Sequence, residues 1–177
     1  MPKRKGEVPQ SRIHKTLLYI NDIDLFLDEA DKAAEVLMAV FQEADNDLKD
    51  EIIFLLGSLV QPEICLWLYT ILADSDQVQT TRRNAALQLS VTAAALENTD
   101  ELRARLLADM NHPDPVLRHL AVLAMGWEGN QRSASEISRL TADTSALVRQ
   151  AATAALSQIT RKPLIPTVKE GQSGKSG

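Results

Sequence analysis

The sequence predicts an all-α fold, an α-solenoid of about four stacked helix pairs with an N-terminal capping helix, and three observations predict it. "HPDPVLRHLAVLAMG", from His112, aligns over "DTSALVRQAATAALS", from Asp143; in both, a loop residue stands six before an arginine, an apolar residue precedes that arginine, and alanine follows it by three and by six. The two arginines, Arg118 and Arg149, are 31 residues apart, and repetition at this period marks helix pairs that bury their apolar faces only by stacking on one another. Hydrophobic residues make up 45% of the chain but aromatic ones only 4%, so the core is aliphatic and favours helices. Apolar residues recur at three- and four-residue spacing, and no segment alternates long enough to argue a strand.

The elements follow in chain order. Residues 1–15 read as a basic flexible tail, with no apolar run behind the basic start to form the usual secretory signal. Residues 16–29, "TLLYINDIDLFLDE", read as a cap shielding the first repeat. The first repeat, approximately 30–60, pairs "DKAAEVLMAVFQEA" with "LKDEIIFLLGSL", where Lys49 takes the arginine place and Glu43 the loop position. The second, 61–97, pairs "PEICLWLYTILA" with "DQVQTTRRNAALQLS"; Asp76 stands six before Arg82, but Ala86 and Leu89 fit better if Arg83 is the anchor, so both registers stay open. The third, 98–128, and the fourth, 129–159, lead with "TDELRARLLADM" and "SASEISRLTA". Pro62 and Pro115 sit where a first-turn proline is tolerated, and Ser58, Thr99, Asp114 and Ser145 are expected helix starts. Residues 160–177 read as a flexible tail, whose "RKPLIP" is expected to fold back over the last pair or dock on another chain. Gln61, Pro62 and Glu63 divide the apolar stretch 52–73 into two core helices, which argues against a membrane span.

The loop acid or its substitute, Val/Leu-Arg at the start of the second helix and Ala-x-x-Ala-Leu behind it resemble HEAT repeats, most closely the short alanine-rich variety named after phycobilisome lyases. The resemblance covers roughly residues 30–159. It implies HEAT-like helix pairs whose loop acids and helix arginines, here Asp76, Asp143, Arg118 and Arg149, tie neighbouring repeats together. A guanidinium suits that role because several donors reach a carboxylate and loop carbonyls at once. In this frame His112 replaces a loop acid.

Motif chemistry is sparse, and the expectation is a non-enzymatic protein with no catalytic residue, metal or cofactor. His112 and His119, seven apart, lack the spacing by which helices hold zinc. "DNDLKDE", from Asp45 to Glu51, lacks the central glycine of a calcium loop. Cys65, the only cysteine, lies among apolar residues as a buried thiol and points to a reducing, cytoplasmic setting. There is no phosphate-binding glycine loop and no Gly-x-Ser-x-Gly elbow. Among enzymes on the HEAT scaffold, the hydroxylase that holds iron through His-Glu dipeptides is set aside, because the chain has none. DNA glycosylases present a basic face with aromatic side chains, whereas Trp67 and Trp127 sit in apolar helix contexts expected to be core.

Charge is uneven: +4 on residues 1–15, +3 on 160–177 and −12 between them, with eleven acids against Lys32 and Lys49 in residues 22–51. An acidic body makes nucleic acid a poor partner. The resemblance places the concave face on the second helices, with Asp50, Asn84, His119 and Gln150 one residue after each anchor and Phe54, Gln88, Val122 and Thr153 a turn further on, Asn84 and Gln88 being counted from Arg83. Such a strip suits a protein or peptide partner of basic character, and the chain reads as an adaptor. The alternative is an accessory lyase or chaperone for a tetrapyrrole-bearing protein. Self-association through the solenoid ends is a further expectation.

Overall fold

The computed structural model describes residues 10–126 and 131–161. Residues 1–9, Trp127 and the chain from Lys162 onward, on which the two tail expectations and one core expectation fall, lie outside the described residues. Among the described residues the chain is helical throughout, with no strand.

The N-terminal cap is two helices, α1 (Gln10–Asn21) and α2 (Ile23–Asp28). It differs from the single cap over 16–29 in two ways, each with a local cause. Asp22 interrupts the run with extended backbone, and its carboxylate accepts the Leu25 N–H at 3.0 Å, so a new helix starts there. The break turns Phe26 beneath Tyr19, with the rings edge to face at 6.4 Å. Residues 10–15 are helical rather than tail, since Thr16 and Tyr19 are buried and Lys15 is clipped to Glu29 at 2.9 Å.

Four helix pairs follow: α3 (Ala30–Phe41) with α4 (Asn46–Gly57), α5 (Pro62–Ala73) with α6 (Gln79–Ala93), α7 (Asp100–Asp109) with α8 (Pro115–Gly126), and α9 (Gln131–Arg139) with α10 (Ala146–Arg161). The starts are chemically explicit. The Asp45 carboxylate accepts the Leu48 N–H at 2.9 Å, Pro62 opens α5, and Asp114 accepts the Val116 N–H at 2.8 Å behind Pro115. Ser58 ends a helix instead of starting one. Its hydroxyl donates to the Leu55 carbonyl at 2.6 Å, because the apolar run through Leu55 and Leu56 carries α4 up to Gly57.

The core is one aliphatic seam between the two layers. Leu37, Ile52, Leu56, Ile64, Leu68, Leu72, Leu89 and Leu120 are all fully buried, each stabilising the fold by roughly 1.5–3 kcal/mol relative to exposure. Along the chain α4 packs on α6, α6 on α8 and α8 on α10, whereas among the first helices only α5 and α7 approach closely within the described residues. Small side chains suit the tighter layer: Ala85, Ala86, Ala121, Ala124, Ala151, Ala152 and Ala155 are all buried on the second helices. Gly57 and Gly126 carry this furthest. A Cβ at Gly57 would lie 1.9 Å from Gln88 Cγ, and one at Gly126 would lie 2.4 Å from Ala155 Cβ. A layer packed more closely than its partner makes each repeat a wedge, which places the hollow side of the stack on the second helices.

Candidate functional site

The second helices are positioned by the joints between repeats. Arg118 holds Asp143 of the next repeat through two parallel bonds, Nε to Oδ2 at 2.9 Å and Nη2 to Oδ1 at 2.8 Å, and its Nη1 donates to the carbonyls of His112 and Pro113, both at 2.9 Å. Asp143 Oδ1 also accepts the Ser145 N–H at 2.7 Å, so one carboxylate shapes its loop and locks the preceding helix. The Arg118 guanidinium holds the Asp143 carboxyl below its ordinary range. Arg149 repeats the carbonyl half of the pattern, reaching Asp143 O at 2.7 Å and Thr144 O at 3.0 Å.

The same turn identifies the loop residue in the other repeats. His112 Nδ1 accepts the Asp114 N–H at 3.1 Å, and Asp74 Oδ1 accepts the Asp76 N–H at 2.9 Å. Asp74 is therefore the loop acid of the second repeat. Asp76, expected in that role, is exposed and supplies its backbone N–H; the carboxylate that closes the turn must stand two residues before the N–H it accepts. Lys49 reaches this loop through Gln77, Nζ to Oε1 at 2.9 Å, and Gln77 Nε2 donates on to Asp74 at 3.0 Å. Tyr69 donates to Asp109 at 2.9 Å between the second and third repeats, where His112 offers no carboxylate.

The anchor of the second repeat is Arg82. It is buried and its Nε donates to the Leu72 carbonyl at 2.9 Å, while Arg83 is exposed. With Arg82 in register, Ala85, Ala121 and Ala152 all lie three after their anchors and all are buried. This shift changes which side chains line the hollow face. One after the anchors come Asp50, Arg83, His119 and Gln150; five after come Phe54, Leu87, Leu123 and Ala154.

The expected groove residues divide accordingly. Phe54 is 69% exposed, and Gln150 and Thr153 are exposed. Asp50 is half-buried and accepts the Thr81 hydroxyl at 3.0 Å, a tie between α4 and α6. Asn84 and Gln88 are half-buried, and Gln88 covers the space above Gly57. Val122 does not line the groove. It is 0% exposed because, four after its anchor, it turns into the packed side of α8. Arg83, Leu87 and Leu123 were missed, and the signal that finds them is the common alanine three after each anchor.

The resulting face combines an apolar row with the Arg83 cation and the His119 imidazole. Phe54 and Val91 (55%) are exposed, and Leu87 and Leu123 are half-covered. His119 is half-buried with its Nδ1 enclosed; burial holds its imidazole below the usual range, with the Arg83 charge adding to the shift and a Leu147 backbone bond opposing it. A separate hollow of about 270 Å³ lies between α5 and α7, with Cys65, Leu66, Leu96 and Leu102 among its walls. Burial pushes the Cys65 thiol up to about 11, so it is protonated and weakly nucleophilic at neutral pH. Among the described residues, no three His, Cys, Asp or Glu side chains are grouped to hold a metal ion, and no helix is long and apolar enough to cross a membrane.

Helix pairs stacked one on the next, the last two joined by Arg118 and the Asp143 carboxylate, define an α-helical solenoid. Over residues 99–171 the chain matches the family model of the HEAT repeats, a stretch that takes in its third and fourth helix pairs. No curated protein matches the chain.

Proposed function

We propose that the chain is a non-catalytic adaptor that holds an extended or helical segment of a partner protein against the hollow face of its second helices. One observation carries this reading: an apolar row, Phe54, Leu87 and Leu123, crosses three successive helices with Arg83 and His119 beside it. A 69% exposed phenylalanine has little reason to stand on a solvated face, and aromatic anchors ringed by polar groups are the usual centre of a binding surface. Asp50 is already engaged by Thr81, and Arg83 adds positive charge at the middle of the row. The preferred segment is thus apolar with an acidic group for Arg83, a change from the basic partner expected of an acidic strip. The match to HEAT repeats supports the scaffold role, since such repeats commonly serve protein interaction. The phycobilisome-lyase-like variety and a cytoplasmic setting, the latter suggested by the single reduced Cys65, belong to the same proposal.

The test is site-directed photo-crosslinking in native lysate, with a benzophenone side chain at position 54 and, as a control, at exposed position 63 on α5. One dominant adduct at position 54, absent at 63 and weakened about tenfold by Arg83→Glu with Leu87→Ser, is expected. Identical adducts from both positions, or none from position 54, would defeat the reading.

A further inference from the structure

A second surface lies at the other end of the stack's chemistry, on the N-terminal cap. Helix α1 exposes Ile13 (41%) and Leu17 (46%), and α2, which packs on it, exposes Ile23 (52%) and Leu27 (54%). Both pairs are spaced i, i+4, so each helix carries a short apolar ridge. On α2 the ridge runs directly beside a second one made of Asp24 and Asp28, both exposed, with Asp22, Asp31 and Glu35 exposed in the neighbouring turns. Lys15 and Lys32 are both drawn to Glu29, at 2.9 and 3.6 Å, and among the described residues no ion pair is made by Asp24 or Asp28.

The opposite end is built differently. Apart from the groove positions Gln150, Thr153 and Ala154, helix α10 exposes Arg149, Ser157 and Gln158, a polar surface on which Leu147 (38%) is the large apolar side chain left in water. The cap therefore leaves apolar surface in water where a terminating element would hide it.

We propose that this cap face is a docking site for a basic amphipathic helix of a partner protein, its apolar side on Ile13, Leu17, Ile23 and Leu27 and its lysines or arginines against Asp24 and Asp28. Charge selects this occupant over a second copy of the chain. A two-fold contact would bring together two copies of the same acid-rich face, each exposing Asp22, Asp24, Asp28, Asp31 and Glu35, and like charges gathered across an interface disfavour it. The site is independent of the groove and shares no residue with it.

The test uses the full chain and two synthetic helical peptides of about 18 residues with leucine on one face, one edged with lysine and one with glutamate, read by fluorescence anisotropy. The lysine peptide is expected to bind and the glutamate peptide not. Affinity should fall about tenfold or more in Asp24→Asn with Asp28→Asn and in Ile23→Ser with Leu27→Ser, and stay unchanged in Phe54→Ser. These side chains are exposed, and unchanged circular dichroism would show each variant folded. Equal binding by all variants, or loss only in Phe54→Ser, would overturn the proposal. So would sedimentation showing self-association that Ile23→Ser with Leu27→Ser dissolves, or tighter peptide binding once residues 1–9 are removed, which would make the chain's own basic start the occupant.

Discussion

Arg118 and Asp143 tie the third repeat to the fourth. They are mostly buried, bonded twice to one another, and each also serves a loop carbonyl or amide. Removing one partner of such a pair strands the other's charge, at a cost of about 3 kcal/mol. Asp143→Ala is expected to lower stability by that amount in urea unfolding, while Asp76→Ala, at an exposed carboxylate, should stay within about 0.5 kcal/mol. The contrast separates the turn-closing acid from its neighbour. Because the Asp143 pKa is lowered on folding, the stabilisation is full above the ordinary carboxylate range and fades as pH falls through the lowered value. The arginines and their repeat were legible in the sequence, but the partner acid of the second repeat was not. "DSDQ" presents Asp74 and Asp76 as equals, and only the direction of one side chain-to-backbone bond distinguishes them.

At the level of elements, the close approach of second helices rests on positions eight after the anchor, which hold Gly57, Ser90 and Gly126. The two glycines predict different outcomes. A methyl at Gly57 meets the Gln88 side chain, which can swing aside, whereas a methyl at Gly126 meets Ala155 Cβ at 2.4 Å and its Cα at 3.2 Å. Gly126→Ala must therefore push α8 from α10 and is expected to cost about 1–3 kcal/mol in thermal or urea unfolding, clearly more than Gly57→Ala. Helix number and pairing could be read from periodicity because each amphipathic stretch announces its own buried side. The groove could not be read as directly. Choosing Arg83 over Arg82 rotates α6 by one residue, about 100°, and exchanges Arg83 and Leu87 for Asn84 and Gln88. The cap was misjudged for a related reason: "INDIDLF" has one continuous apolar pattern, and the break at Asp22 comes with a side-chain carboxylate accepting the Leu25 N–H, which periodicity does not register.

Across the whole molecule, stability is shared between neighbours rather than concentrated, and the N-terminal cap is held by its own clip. Tyr19 donates to Glu29 at 2.6 Å and Lys15 pairs with the same oxygen, together holding the Glu29 carboxyl near 2 instead of its ordinary 4.5. That stabilisation is complete above about pH 4.5 and disappears as pH falls toward 2. Hydrogen-exchange protection in α1 and α2 is expected to drop through this window while α6 and α8 stay protected, and Glu29→Gln should remove the pH dependence. Uniform loss along the chain would show that the cap does not open separately. The unequal layers have one more implication. If methyl-sized vacancies set how near successive inner rods lie, then the aperture of the trough is written in side-chain volume at sites that never touch its cargo, and widening or narrowing the mouth needs no alteration of the lining itself.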